Sequence, residues 1–273
     1  MKKTLLFVAA SALLATVAAT SCGNQKKVSS DTDSLTFGSI TLKSIVPLKD
    51  GSQQPACELD MQIKYAQGPN ADRINDSIKA SGIFMRDFYS PATAPKSLPQ
   101  YADSFAASYV RTYKRDVTEL KKMGANDAAC SYNYVVKTSV GKGKDGVINY
   151  LAQGYSFTGG AHGMSFVSAL NFDPKTGKKL SLDDVFTKGS DKVLMDKVIE
   201  NIAKKFGVSG LAGLKTLGIF DYVDVRLPES FILGTDSVTF IYETDAIAPH
   251  AVGEIRSSLA YKDLTDIMPK VKK

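Results

Sequence analysis

The sequence is poor in the residues that most often carry catalysis. Its 273 residues include no tryptophan, three cysteines and only two histidines, His162 and His250. A structural or catalytic metal needs three or four protein ligands, and no His-x-His, His-x₃-His or Cys-x₂-Cys spacing occurs. The Gly-x-Ser-x-Gly elbow of serine hydrolases is also missing. We therefore predict no catalytic residue, no metal and no cofactor. A pair of carboxylates for glycoside hydrolysis stays open, because the distance between such residues is set by the fold and not by their spacing in the sequence.

Long apolar runs are scarce as well. The one clear run, Leu5–Ala19, follows Lys2 and Lys3, which is typical of a signal peptide. It ends in small residues just before Cys22, a pattern that resembles a bacterial lipobox. We expect a signal peptide over residues 1–21 and a lipid on Cys22 that anchors the chain to a membrane. The alternative is an ordinary signal peptide with an incidental cysteine.

Polar residues dominate the stretch after Cys22, so residues 22–34 are predicted to form a tether. No second apolar run is long enough to span a membrane. We expect a cell-envelope location, and the absence of an acidic cluster just after Cys22 favours the periplasmic face over the cell surface.

The charge is mildly basic. The formal net charge is +6, and removal of Lys2 and Lys3 leaves 32 basic residues against 28 acidic ones. The lysines are scattered, and no nucleic-acid motif is present. This composition predicts no nucleic-acid partner and a weak preference for anionic envelope polymers.

Cys57 and Cys130 each lie at the start of a predicted strand, on its apolar face. An oxidising envelope compartment permits a disulfide between them. Two buried free thiols fit the pattern equally well, because small buried cysteines are common.

Hydrophobic periodicity predicts the elements of the first half. Residues alternate between apolar and polar in a strand over Leu59–Tyr65. A helix is predicted to begin at Asn70, and a stripe of aromatic and aliphatic residues from Tyr101 to Leu120 predicts a six-turn helix. We expect that stripe to face a core rather than to bind glycans. Further strands are predicted over Cys130–Val140, Val147–Phe157 and Met164–Phe172.

In the second half, a helix is predicted over Asp191–Phe206, followed by an irregular stretch, Ser209–Gly218. Short strands are predicted over Tyr222–Leu227, Phe231–Leu233, Val238–Tyr242 and Ile255–Tyr261. Clustered rather than alternating elements favour an α+β fold with antiparallel sheets packed against helices. We place two small units at residues 35–158 and 159–270.

Three glycines, Gly159, Gly160 and Gly163, surround His162 at the start of the second unit. Glycine accepts positive φ, so this Gly-Gly-Ala-His-Gly motif predicts a shaped turn that joins the two units. We expect His162 to be buried or half-buried and to hydrogen-bond the turn. Just behind it, Asp173–Gly177 has the composition of a tight turn.

Several stretches together resemble a known module. They are Phe157–Gly163, Asn171–Lys178, Leu180–Phe186, Phe240–Tyr242 and Ile247–Gly253. The module is the two-part extracytoplasmic region of RsiV-type anti-sigma factors and PdaC-type peptidoglycan deacetylases, and the first half of the chain is similar to it less specifically. His250 stands where that family usually has tyrosine.

The resemblance implies a binding module rather than an enzyme, since neither an anti-sigma segment nor a deacetylase domain accompanies it in this sequence. The candidate ligand-binding residues are His162, His250, Tyr155 and Asp173. We expect a lipid-anchored, non-enzymatic protein that recognises peptidoglycan or another envelope polymer. The alternative is a lysozyme sensor or inhibitor acting by protein–protein contact. An envelope hydrolase or deacetylase is less favoured, and it requires both histidines within about 8 Å of each other in one cleft. The oligomeric state stays open.

Overall fold

A computed structural model describes residues 34–49, 51, 53, 55–85, 97–160 and 162–269. Cys22 and the predicted signal peptide lie outside these residues, as does most of the predicted tether. The described residues belong to one compact unit. Within the part of the chain described here, no helix is both long and apolar enough to cross a membrane.

The first half of the chain builds a five-stranded sheet in the order β1-β2-β3-β4-β5. Neighbouring strands are antiparallel except β2 and β3, which are parallel and are joined by a helical crossover. The strands are β1 (Thr36–Pro47), β2 (Ala56–Gln67), β3 (Tyr132–Lys142), β4 (Ile148–Phe157) and β5 (Met164–Phe172).

Two helices, α1 (Ala71–Lys79) and α2 (Leu98–Lys122), pack on one face of this sheet. The predicted stripe of α2 is confirmed as a core seam, because Phe105, Tyr109 and Tyr113 are fully buried. Tyr134 of β3 reaches into the seam, with ring centroids 5.2 Å from Phe105 and 5.6 Å from Tyr109. Contacts of this kind between aromatic rings add to the stabilisation from burial.

The second half forms a three-stranded antiparallel sheet from β6 (Phe231–Leu233), β7 (Ser237–Tyr242) and β8 (Ile255–Ala260). Its core is completed by α4 (Asp191–Lys205) and α5 (Gly210–Thr216), while the single turn α3 (Leu182–Val185) precedes them. The α+β class is therefore confirmed, with helices packed on two antiparallel-rich sheets.

The two sheets meet along β5. Asn171, which is only 1% exposed, donates to the carbonyl of Phe231 and accepts from the backbone N–H of Leu233. Val167 and Ala169 pack against Ile241 beside this clamp. Because β5 belongs to the first sheet, the boundary between the sheets falls after Phe172 rather than at residue 159.

Two predictions of secondary structure were wrong. Residues Tyr222–Leu227 alternate like a strand, yet they pair with no neighbouring strand and remain irregular and exposed. Conversely, Ser209–Gly218 was expected to be irregular but contains α5, because the burial of Leu214 stabilises a short helix despite its glycines.

Cys57 and Cys130 are both buried in the first core as free thiols, so of the two alternatives the structure has the unbridged one. Burial raises the pKa of Cys57 to about 12, and the neighbouring Glu58 adds to the shift. A thiol with so high a pKa is a poor nucleophile at neutral pH.

Candidate functional site

The Gly-Gly-Ala-His-Gly motif forms the loop between β4 and β5, so it connects two strands of one sheet rather than two units. Gly159 and Gly160 both have positive φ, 90° and 96°. A Cβ on Gly159 would lie 2.7 Å from the carbonyl oxygen of Ala129, closer than real contacts allow. The glycines therefore let the loop turn sharply against the segment that leads into β3, and His162 follows on its outer side.

The only two histidines of the chain meet at this loop. Their ring centroids are 4.9 Å apart and the ring planes are tilted by 38°. His250 is brought there by a 3-10 turn, His250–Val252, just after Pro249. Both side chains are exposed, so the expectation that His162 is buried or half-buried was wrong. Burial was expected from the glycines around it, but they shape the backbone and leave the imidazole in solvent.

Each imidazole has its Nδ1 atom next to an oxygen. His250 Nδ1 lies 2.9 Å from Asp245 Oδ2, and His162 Nδ1 lies 3.2 Å from the carbonyl oxygen of Gly163. A carbonyl oxygen only accepts, and so does an ionised carboxylate, so Nδ1–H is the donor in both contacts. In neutral rings this tautomer leaves the Nε2 lone pairs free.

Tyr155 of β4 borders the histidine loop. A Cβ on Gly163 would lie 2.3 Å from Cζ of Tyr155, so the absence of a side chain lets the ring pack on this glycine. Tyr155 remains 39% exposed, and Met164 beside it is also exposed. The structure thus places Tyr155 against Gly163, the residue that follows His162.

Asp173 is not part of the histidine loop. It lies beyond the opposite end of β5, nine strand residues away, which corresponds to about 30 Å. Its Oδ1 accepts hydrogen bonds from the backbone N–H groups of Lys175 and Thr176, both at 2.8 Å. The bond from Thr176 is the main cause that lowers the pKa of Asp173. The carboxylate stabilises the turn that follows β5.

The neighbours of the two histidines bear on the hydrolase hypothesis. Among the described residues, no serine, threonine or cysteine hydrogen-bonds to either imidazole. The same part of the chain holds no group of three or more His, Cys, Asp or Glu side chains placed to bind a metal ion. The distance required by the hydrolase hypothesis is met, and one carboxylate, Asp245, lies beside His250.

A second feature, which the sequence did not reveal, is a groove of about 1060 Å³ along the outer edge of β5. One wall is the strand edge from Val167 to Leu170, and the other is the irregular segment Asp221–Ser230. Side chains form hydrogen bonds with backbone N–H groups of this strand edge. Glu243 accepts from the N–H of Val167 at 2.7 Å, and the hydroxyl of Ser230 accepts from the N–H of Ala169 at 3.3 Å. We call this feature the acidic groove.

The charge of the acidic groove is opposite to that of the whole chain. Four carboxylates line it, against two cations: Asp221, Asp224, Glu229 and Glu243, with Lys179 and Arg226. Within the described residues none of the six forms an ion pair. Tyr222 stands at the groove with 92% of its surface exposed. The signal in the sequence was the run of acidic residues around Tyr222, which we interpreted as a strand.

Comparison with known proteins places the chain beside proteins of unknown function. Residues 183–262 match the model of a family described as "Protein of unknown function (DUF3298)". That match begins in α3, ends after β8 and includes His250 but not His162. A comparison with curated proteins gave no significant match.

Two crystal structures of DUF3298 proteins share the fold over most of the chain. One, from Bacteroides fragilis NCTC 9343, has a TM-score of 0.71 at 25% identity and covers 88% of this chain and 95% of its own. The other, from Pseudomonas aeruginosa PAO1, has a TM-score of 0.59 at 20% identity and covers 88% of this chain and 96% of its own. The likeness therefore extends beyond the matched residues into the first sheet.

Proposed function

We propose that the protein is a non-catalytic binding protein of the cell envelope, anchored through a lipid on Cys22, and that the acidic groove binds a basic polypeptide. The observation that carries the proposal is the concentration of four carboxylates, none of them in an ion pair with a described residue, in one large groove of a chain that is basic as a whole. Complementary charge steers a partner to such a surface and excludes partners of like charge.

The shape of the acidic groove supports a macromolecular ligand. Its irregular wall includes Tyr222–Leu227, whose backbone pairs with no strand, together with the exposed ring of Tyr222. Tyrosine is enriched among residues that dominate binding energy, because it buries a large rigid surface and keeps a polar tip. We therefore assign Tyr222 as an anchor and the carboxylates as the groups that orient the ligand.

The resemblance to the module of RsiV-type anti-sigma factors supports lysozyme, a basic protein, as the probe. The net basic charge of the chain was an argument for anionic polymers, but it is a property of the whole surface. Locally, carboxylates outnumber cations in the acidic groove by four to two, which disfavours an anionic ligand there.

The test is a titration of the purified protein with lysozyme, in parallel with retention on insoluble peptidoglycan. The groove variant Asp221→Asn/Asp224→Asn/Glu229→Gln should weaken lysozyme binding about tenfold, since exposed charge pairs contribute about 0.2 to 1 kcal/mol each. A control variant with the same change in net charge, Asp72→Asn/Asp103→Asn/Asp183→Asn, should change it less than twofold.

Two outcomes would contradict the proposal. One is equal loss in both variants, which would indicate long-range attraction without a site. The other is retention on peptidoglycan with no binding of lysozyme, which would favour a polymer ligand. Tyr222→Ala should also weaken binding while leaving the melting temperature unchanged, because the side chain packs on little of the fold.

A further inference from the structure

The two paired histidines on the surface do not line the acidic groove. They come from separate parts of the chain, one from the loop between β4 and β5 and the other from the 3-10 turn before β8. Both imidazoles are exposed, so the contact between them is not part of the hydrophobic core. We propose that His162 and His250 together bind one divalent transition-metal ion through their Nε2 atoms.

The first support is the tautomer that the surroundings select. Both Nδ1 atoms face oxygen acceptors, Gly163 O at 3.2 Å and Asp245 Oδ2 at 2.9 Å. Histidines that ligate metals usually donate their other ring N–H to a carboxylate or a backbone carbonyl, which fixes the ring and raises its basicity. The two histidines have one partner of each kind. Asp245 therefore acts as a positioning residue rather than as a third ligand.

The second support is the separation of the rings. A metal bonded to Nε2 at about 2.0 to 2.1 Å lies about 3.2 Å from the ring centroid. Two such ligands place their centroids about 4.5 Å apart at a right angle and about 5.2 Å apart at the tetrahedral angle. The observed 4.9 Å lies between these values.

The donor set indicates the kind of metal. Imidazole suits zinc, copper and nickel, whereas calcium and magnesium prefer oxygen ligands. Two imidazoles are fewer than the three or four protein ligands of structural and catalytic metal sites, so the other positions of the ion are open to water or to a ligand atom. We expect Cu²⁺ to bind more tightly than Ni²⁺ or Zn²⁺, following the general order of divalent affinities.

The experiment is a titration of the purified protein, carrying Cys22→Ser to remove a competing thiol, with Cu²⁺, Ni²⁺ and Zn²⁺ alone. One ion per chain should bind. His162→Gln and His250→Gln should each weaken binding at least tenfold, since even the loss of a supporting group costs about 10- to 100-fold. Asp245→Asn, which retains an acceptor oxygen for His250, should have a smaller effect.

Binding that is unchanged in both histidine variants, or absent from the parent protein, would overturn the proposal. The electron paramagnetic resonance spectrum of the Cu²⁺ complex should indicate two imidazole nitrogens in the parent protein and no more than one in each variant. Since both side chains are exposed, the variants should fold, and circular dichroism checks this. The result is independent of lysozyme binding, so either proposal can fail without the other.

Discussion

Two glycine-bearing loops flank β5, and they are built in opposite ways. The loop after β5, Asp173–Gly177, satisfies itself: Asp173 accepts from two backbone N–H groups, and the N–H of Gly177 donates to the carbonyl of Asp173 at 2.9 Å. The loop before β5 has one hydrogen bond from its histidine, to the adjacent residue, and presents that histidine to solvent. The loop after β5 is therefore closed by its own hydrogen bonds, whereas the loop before β5 leaves its histidine accessible.

The largest loss of stability should come from adding a side chain at Gly177. It has a φ of 65°, and an added Cβ would lie 2.8 Å from Cβ of Asn70. Gly177→Ala should cost about 2 to 4 kcal/mol of unfolding free energy, from backbone strain together with overpacking. Denaturant unfolding measures this.

The matched control is Gly160→Ala in the loop before β5. Its φ is also positive, at 96°, but no described atom beyond its chain neighbours lies within 4 Å of the added methyl group. The loss should be smaller, because strain acts without a clash. Equal losses in the two variants would break the contrast between the loops.

The next effect should come from Asp173→Ala, which removes the acceptor for two backbone N–H groups. We expect the melting temperature to fall by a few degrees at neutral pH, as for the loss of other side-chain caps. The pKa of this carboxyl is lowered in the folded state, so its contribution is present above the ordinary pKa and is lost on acidification. A melting temperature that stays unchanged would show that the turn does not depend on its carboxylate.

A related carboxylate, Asp184, lies just beyond the loop after β5. Asp184 closes a capping box with Ser181 and pairs with Lys178, and these partners, with Lys178 the strongest, lower its pKa to about 2. Because the folded pKa is depressed, the stabilisation is complete above the unfolded value of 3.8 and is lost as the pH falls towards 2. After a discount for exposure, Asp184→Asn should cost about 1 kcal/mol at pH 7 and little at pH 2. A cost that is the same at both pH values would contradict this assignment.

Most of the scaffold was readable from the sequence because its signals are local. Alternation predicted β2, and the stripe of α2 predicted the aromatic seam. The spacing of Ser181 and Asp184, which form a capping box, is a local signal of the same kind. Such patterns can be interpreted within a single helix or strand, because they depend only on which of its faces is buried.

The candidate site was readable only in part, because it depends on which elements meet. The alternation in Tyr222–Leu227 indicates a strand, but a strand also needs a free neighbour, and β6 to β8 pair among themselves. In the same way, the meeting of His162 and His250 follows from the placement of two turns distant in sequence. Neither fact has a local signature.

The smallest effect on stability should come from His162→Ala, and this variant tests the account most directly. Its melting temperature should be measured with and without a saturating concentration of Cu²⁺, beside the parent protein. Without metal we expect a change within about 0.5 kcal/mol, since the side chain is exposed. Metal at about 100 times its dissociation constant should stabilise the parent protein by about 2.7 kcal/mol and the variant far less. A variant that melts much earlier without metal, yet gains as much from metal as the parent does, would show that His162 belongs to the scaffold instead.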